Sequence, residues 1–292
     1  MRAQHYLKAL IIVFLALTPY ASAGDPIHVL VANDDGIDSP GIEAIAAVIA
    51  ADSAYRVTVV APAQQQSVSG HGLITRSEIK VVEHAEVAGC TAWSVDATPA
   101  TVARVALTAL LVDDYPDLVV SGINRGENDG LGAWTSGTVA VAREGALAGI
   151  PAVAVSLQLD WSDPQPDFEA AARWAKPVID AVRDNGLPPG VYLNVNVPID
   201  TEAVRGFRVA RMGLDLSEEA RYVMARADSD GARWYVSRWK PPLETTPGGD
   251  SHALAIGWVT ISPLGLDQTA EGAFPLLQQF ELETPVVEAP AP

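Results

Sequence analysis

Four short apolar runs dominate the first half of the chain: IHVLVA (Ile27 to Ala32), RVTVVAP (Arg56 to Pro62), DLVVSG (Asp117 to Gly122) and PAVAVS (Pro151 to Ser156). Near-continuous Val and Ile runs of this length are strands buried on both faces. When they alternate with helices they specify a parallel sheet covered on both sides. The helical patterns between them run from Pro40 to about Ala51, from Thr98-Pro99 to about Val112, and from Thr138 to about Ala148. Ser39 before Pro40 is a strong start, a capping hydroxyl followed by a residue whose fixed φ suits the first turn. A fourth helix is expected from Asp167 to about Asn185, and one more strand, VYLNVNVP, from Val191 to Pro198. The fold class is therefore α/β, a doubly wound, mostly parallel, Rossmann-like sheet. From about Val204 the chain becomes β-leaning and Trp-rich, which predicts a C-terminal extension or arm instead of another βα unit. Residues 24–283 read as one α/β domain with that extension, and the Pro/Ala-rich 284–292 as a disordered tail.

Composition narrows the function. A hydrophobic fraction of 49% with 19% charge excludes bulk disorder, and Cys90, the single cysteine, excludes a disulfide scaffold. The net charge of −17 opposes a nucleic-acid polymer, because binding one depends on basic residues displacing counterions. A phosphorylated ligand would have to be small and screened by a cation. At the N-terminus, Arg2 and Lys8 precede ALIIVFLAL (Ala9 to Leu17), then Pro19 and Ala21-Ser22-Ala23. That is the order of a signal peptide cleaved after Ala23, so the chain is expected to be exported, periplasmic or secreted. Nine apolar residues are too few to span a bilayer, which needs about 20, so no membrane attachment is expected after cleavage.

Ligands of open α/β sheets bind outside the carboxyl ends of the strands. Three polar loops begin there. The first carries Asn33, Asp34, Asp35 and Gly36; the second carries Ser67, with Ser69 and His71 nearby; the third, SGINRGENDG, carries Asn124 and Asn128. Two carboxylates, a hydroxyl and a carboxamide are oxygen donors, suited to one hard divalent cation, Mg²⁺, Mn²⁺ or Ca²⁺. Taken alone, NDDG is equally an ordinary turn, since Asn and Asp bond their own backbone and Gly supplies positive φ. Adjacent Asp34 and Asp35 nevertheless repel each other unless a cation sits beside them. Ser136-Gly137-Thr138 precede a helix whose first N–H groups can receive a phosphate; a plain Ser/Thr cap fits the same residues, and the two are compatible. Asn128 is grouped with Ser136, Gly137 and Thr138 as a phosphate-binding residue. His71 is a proton-carrier candidate. Glu144 reads as core-facing or salt-bridged, and His28, His84 and His252 as structural or surface groups.

The same residues resemble the SurE survival proteins, metal-dependent nucleotidases and acid phosphatases. The matching stretches are VLVANDDGIDSPGI (Val29 to Ile42), VTVVAPAQQQS (Val57 to Ser67), PDLVVSGINRGEN (Pro116 to Asn128), SGTVAVAREGALAGIPAVAVS (Ser136 to Ser156), LNVNVP (Leu193 to Pro198) and GWVTISPLGLDQT (Gly257 to Thr269). The resemblance implies one divalent cation per subunit on Asp34, Asp35, Ser67 and Asn124, with Asp34 and Asp35 catalytic. It also implies hydrolysis of nucleoside 5′- and 3′-monophosphates and short polyphosphate, and a homodimer or homotetramer exchanging a C-terminal extension. The chain departs from the family at Gln64-Gln65-Gln66-Ser67-Val68 and at Ala97-Thr98-Pro99-Ala100-Thr101. Adjacent carboxylates argue against an aspartyl-phosphate route, whose two groups are separated by one residue. Two rivals remain: an exported phospho-ligand binding protein using the same metal without turnover, and a calcium-stabilised structural domain.

Overall fold

The computed structural model describes residues 25–160 and 166–280. The leader-like stretch 1–23 and the tail 284–292 lie outside the described residues. The strands are β1 (Ile27–Ala32), β2 (Tyr55–Pro62), β3 (Val81–Val87), β4 (Cys90–Val95), β5 (Leu118–Arg125), β6 (Ala152–Leu157), β7 (Val191–Val197), β8 (Phe207–Val209), β9 (Glu219–Ala227), β10 (Arg233–Lys240) and β11 (Val259–Gly265). The helices are α1 (Pro40–Ala50), α2 (Pro99–Val105), α3 (Gly137–Leu147), α4 (Phe168–Asn185), α5 (Asp250–Ala255) and α6 (Phe274–Leu277).

Nine strands form one sheet in the order β3-β4-β2-β1-β5-β6-β7-β11-β8. The run from β4 through β7 is parallel, while β3 and β11 each pair antiparallel with their inner neighbour. Successive side chains of a strand face opposite ways, and β1 shows what that does here. Val29 and Val31 enter a core with Ile42, Ile45, Phe168 and Ile179 of α1 and α4. Leu30 and Ala32 enter a second core with Val102 of α2 and with Val139 and Val141 of α3. Each core is a separate layer, and the site loops leave the edge where the layers meet.

The expected helix starts are realised: Ser39 accepts from the Ile42 N–H, and Asp167 from the Ala170 N–H. The second helix is shorter than expected. α2 ends at Val105 and continues as a π-helical turn, Ala106–Leu110. The region after Val204 divides. β8 and β11 rejoin the main sheet, and only β9 and β10 stand apart as an antiparallel hairpin. No helix among the described residues is long and apolar enough to cross a membrane.

Candidate active site

The first loop is both a turn and a presenter of carboxylates. Asn33, fully buried, donates to the Gly36 carbonyl and the Ser39 hydroxyl and accepts from the Gly36 N–H, which closes the turn. Gly36 takes φ +101, a conformation that costs a residue with Cβ. With Asn33 pinned, Asp34 and Asp35 continue the strand's alternation, one toward each layer.

Asp34 turns toward α3. Its Oδ1 accepts from the Thr138 hydroxyl at 2.5 Å, and a Cβ on Gly137 would fall 2.7 Å from the Asp34 Cβ and 2.8 Å from Pro99 Cγ. Only glycine lets the helix start this close. Ser136 caps α3 by accepting from the Val139 N–H at 3.0 Å, leaving the Gly137 and Thr138 N–H groups among the helix's unpaired first donors. Asp35 turns toward the α1/α4 layer, accepting from the Arg125 N–H at 2.9 Å and from Gln65 Nε2 at 3.5 Å. The same Gln65 amide donates to Ser67 Oγ at 3.1 Å, so the second loop closes on Asp35, and Asn124 adjoins the Arg125 N–H that holds it. Asn124 folds its own amide onto the Gly126 carbonyl, 2.7 Å away. Asp34, Asp35, Ser67 and Asn124 thus lie on three loops joined by direct hydrogen bonds.

The charge of this corner is only partly compensated, by the Arg125 charge acting on Asp35. Burial raises the Asp34 carboxyl to about 6, against the Thr138 hydroxyl and with help from Asp35. Burial raises Asp35 as well, against the Arg125 N–H and Gln65. Among the described residues no Lys or Arg side chain forms an ion pair with either one. A buried carboxylate beside a half-buried one, neither in an ion pair among the described residues, is costly when both are ionised, and a cation between them would relieve both. The described residues bring no three His, Cys, Asp or Glu side chains together as a metal cluster. A cation here would therefore use hydroxyl and carboxamide donors beside the two carboxylates, which is a hard-ion set. The residues present fit it.

Other expected residues are engaged by partners of their own. Asn128 is buried in a polar joint: its amide donates to Ser156 Oγ, its N–H to Asn196 Oδ1, and its carbonyl accepts from Asn194. These bonds fasten the third loop to β6 and β7. The signal for that was LNVNVP, whose two Asn at alternate positions of an apolar strand must share one face and find partners. Sequence reasoning missed Asp250 altogether. Fully buried, it accepts from the Gly130, Gly213 and Ser251 N–H groups and the Ser262 hydroxyl, joining the third loop to the base of the extension. His71 sits 2.6 Å from Glu144 Oε1, and Arg104 grips the same carboxylate through two bonds of 2.8 and 2.9 Å. Burial alone would raise Glu144, but His71 and Arg104 outweigh it and hold the carboxyl below its ordinary range. His28 is buried against Thr58, His84 meets Ser94, and His252 meets Thr245.

Comparison with known proteins bears on the family and the fold. A family model described as Survival protein SurE matches residues 29–219. The chain is 43% identical over 248 residues to 5′-nucleotidase SurE 1 of Thermus thermophilus, spanning 84% of this chain and 94% of that protein. It is 37% identical over 259 residues to 5′-nucleotidase SurE of Desulfatibacillum aliphaticivorans, spanning 88% of this chain and all of that protein. The crystal structure of the SurE protein from Aquifex aeolicus superposes with a TM-score of 0.73 at 32% identity, over 86% of this chain and 98% of that one. These relatives correct one expectation. They are named as SurE 5′-nucleotidases, a likeness that carries no exported location, and it outweighs a leader pattern read from composition around Ala9 to Leu17 alone. The exported, periplasmic or secreted assignment, with cleavage after Ala23, is not retained.

Proposed function

The chain belongs to the SurE family, and from that premise we propose that it is a phosphoric monoester hydrolase, a 5′-nucleotidase whose turnover needs a divalent cation. Nucleoside 3′-monophosphates and short polyphosphate are the further substrates of this reading. The observation that carries it is the adjacent pair of buried Asp34 and half-buried Asp35, without an ion pair among the described residues, beside the open N-terminus of α3.

Asp34 and Asp35 would hold the cation with Ser67 and Asn124. Binding it supplies positive charge to the phosphoryl oxygens and makes a nearby water more acidic. The Gly137 and Thr138 N–H groups, with the positive end of the α3 dipole behind them, receive charge that develops on the phosphoryl group. Thr138 also fixes the rotamer of Asp34, and the Arg125 N–H fixes Asp35, so neither carboxylate has to reorganise as the ester breaks. The assembly in this reading is a homodimer or larger, joined through the β9–β10 hairpin.

The test is phosphate release from adenosine 5′-monophosphate with Mg²⁺ or Mn²⁺, with EDTA, and with Asp34→Asn and Asp35→Asn. Turnover lost in EDTA, restored by metal and lowered by orders of magnitude in both variants is the expected result. Near wild-type turnover by either variant under limiting metal would place the site elsewhere.

A further inference from the structure

The third loop runs from the end of β5 to Ser136 at the cap of α3, so it meets the site at both ends. At one end its Arg125 N–H holds Asp35. At the other, Ser136 opens the helix whose Thr138 hydroxyl donates to Asp34. A loop that carries both restraints must have its own middle fixed, because a displacement there is passed to each end through the backbone.

That middle is Gly130, six residues from Asn124 and six from Ser136. Its N–H is shared by both oxygens of Asp250, 3.1 Å from each. Asp250 Oδ1 also accepts from the Gly213 N–H at 2.8 Å and the Ser251 N–H at 2.9 Å, and Oδ2 from the Ser262 hydroxyl at 3.2 Å. Donors from the third loop, the base of the hairpin, α5 and β11 thus converge on one fully buried carboxylate. None of them is a cation, and Asp250 forms no ion pair among the described residues. Gly130 is fitted to the same joint: at φ +46, a Cβ on it would fall 2.9 Å from Ser251 Oγ and 3.2 Å from the Gly213 carbonyl oxygen. An amide of the same shape would fill the space of Asp250, so packing alone does not call for a charge. What the carboxylate adds is a second acceptor for Gly130 and bonds stronger than neutral ones.

We propose that Asp250 is a positioning residue for ester hydrolysis: it fixes the midpoint of the third loop, so that Asn124 and the Arg125 N–H keep their places around Asp35. The proposal rests on the phosphomonoesterase reading for the reaction, not for the joint itself. Its effect passes through the loop backbone, and it therefore shows in how well the site holds a cation before any substrate is present.

The experiment compares Asp250→Asn, which keeps the shape and removes the second acceptor, with Leu254→Ala, which opens a hole on the buried side of α5 and serves as the control for lost stability. Three quantities are measured: hydrogen exchange of the third-loop amides without metal, Mn²⁺ binding without substrate from the EPR signal of the free ion, and phosphate release from adenosine 5′-monophosphate against Mn²⁺ concentration. Asp250→Asn is expected to speed exchange in the loop and to weaken Mn²⁺ binding at least about tenfold, the usual cost of losing a residue that orients metal ligands. The Mn²⁺ concentration for half-maximal turnover should rise in step. Leu254→Ala should lower the melting temperature and leave Mn²⁺ binding unchanged. Wild-type Mn²⁺ binding by Asp250→Asn overturns the positioning role, with or without faster exchange, and so does a loss that Leu254→Ala reproduces in full. Faster exchange and weaker Mn²⁺ binding in Asp250→Asn, when the wild type releases no phosphate, keep Asp250 as the holder of the loop and remove the hydrolase. If Asp250→Asn fails to fold, Gly130→Ala, which pushes the loop off the same joint from its other side, decides by the same measurements.

Discussion

At the scale of single residues, the site depends on atoms that must be missing as much as on atoms that are present. Gly137 is the clearest case. Gly137→Ala pushes a methyl into Asp34 and Pro99, and overpacking of that kind costs about 1–3 kcal/mol. Chemical denaturation should show that loss, while turnover should fall far more, because the methyl displaces the carboxylate itself. Asp129 makes a separate prediction. Burial first, then the negative charges of Asp250 and Glu127, raise its carboxyl to about 6 from the ordinary 3.8. Its folded form therefore keeps a proton that the unfolded form gives up. Stability should fall as pH rises between roughly 4 and 7, by about 2–3 kcal/mol, and stay level above that window. Asp129→Asn should flatten the slope in a series of melting temperatures against pH. Asp129 was not legible in the sequence beyond its loop, and Gly137 was read there as a phosphate-binding residue, without its close approach to Asp34. The Asp34–Thr138 bond joins positions 104 apart, and no local pattern encodes such a distance. Asp34 and Asp35 were legible because their neighbours Asn33 and Gly36 mark the turn that presents them.

At the scale of elements, the strands and caps were readable because their causes are local: apolar runs for β1, β2, β5 and β6, and Ser39 before Pro40 for α1. The end of α2 was not, since its pattern continues unbroken into the π-helical turn at Ala106–Leu110. The second loop's attachment was also hidden. His71 and Gly70 tie that loop to α3 and to the residue before its cap, through Glu144 and the Thr135 carbonyl. The loop bearing Ser67 and the helix bearing Thr138 are thus one mechanical unit. Glu144→Gln leaves Arg104 and His71 facing a neutral group, and bonds to a charged partner are each worth about 1.5–3 kcal/mol. The melting temperature should drop, and Glu144→Ala should drop it further by leaving a hole. A melting temperature unaffected by either change would mean that the loop is held by something else.

At the scale of the whole molecule, the hairpin is the element with nothing to cover. Tyr222, Met224, Trp234 and Trp239 are all more than half exposed, as are Leu214, Leu216 and Leu243 around its base. In the proposed assembly this apolar ribbon would be the contact between chains. Light scattering should report a dimer or larger, and Trp239→Asp should shift the population toward monomer. Because each chain carries −17, added salt should strengthen the association by screening repulsion. The Trp-rich composition foretold the hairpin, but not that β8 and β11 return to the sheet on either side of it. Asp250 explains the return, since its bonds to Gly130, Gly213 and Ser262 close the hairpin's base. The sheet itself leaves a last consequence. Neighbouring carboxylates that face opposite layers work like the two jaws of a caliper, each mounted on a different core. A fault in the α2/α3 packing moves one jaw, and a fault in the α1/α4 packing moves the other. Either alters the gap, so distant core substitutions on both sides of the sheet should be felt as a change in the gauge of this single opening.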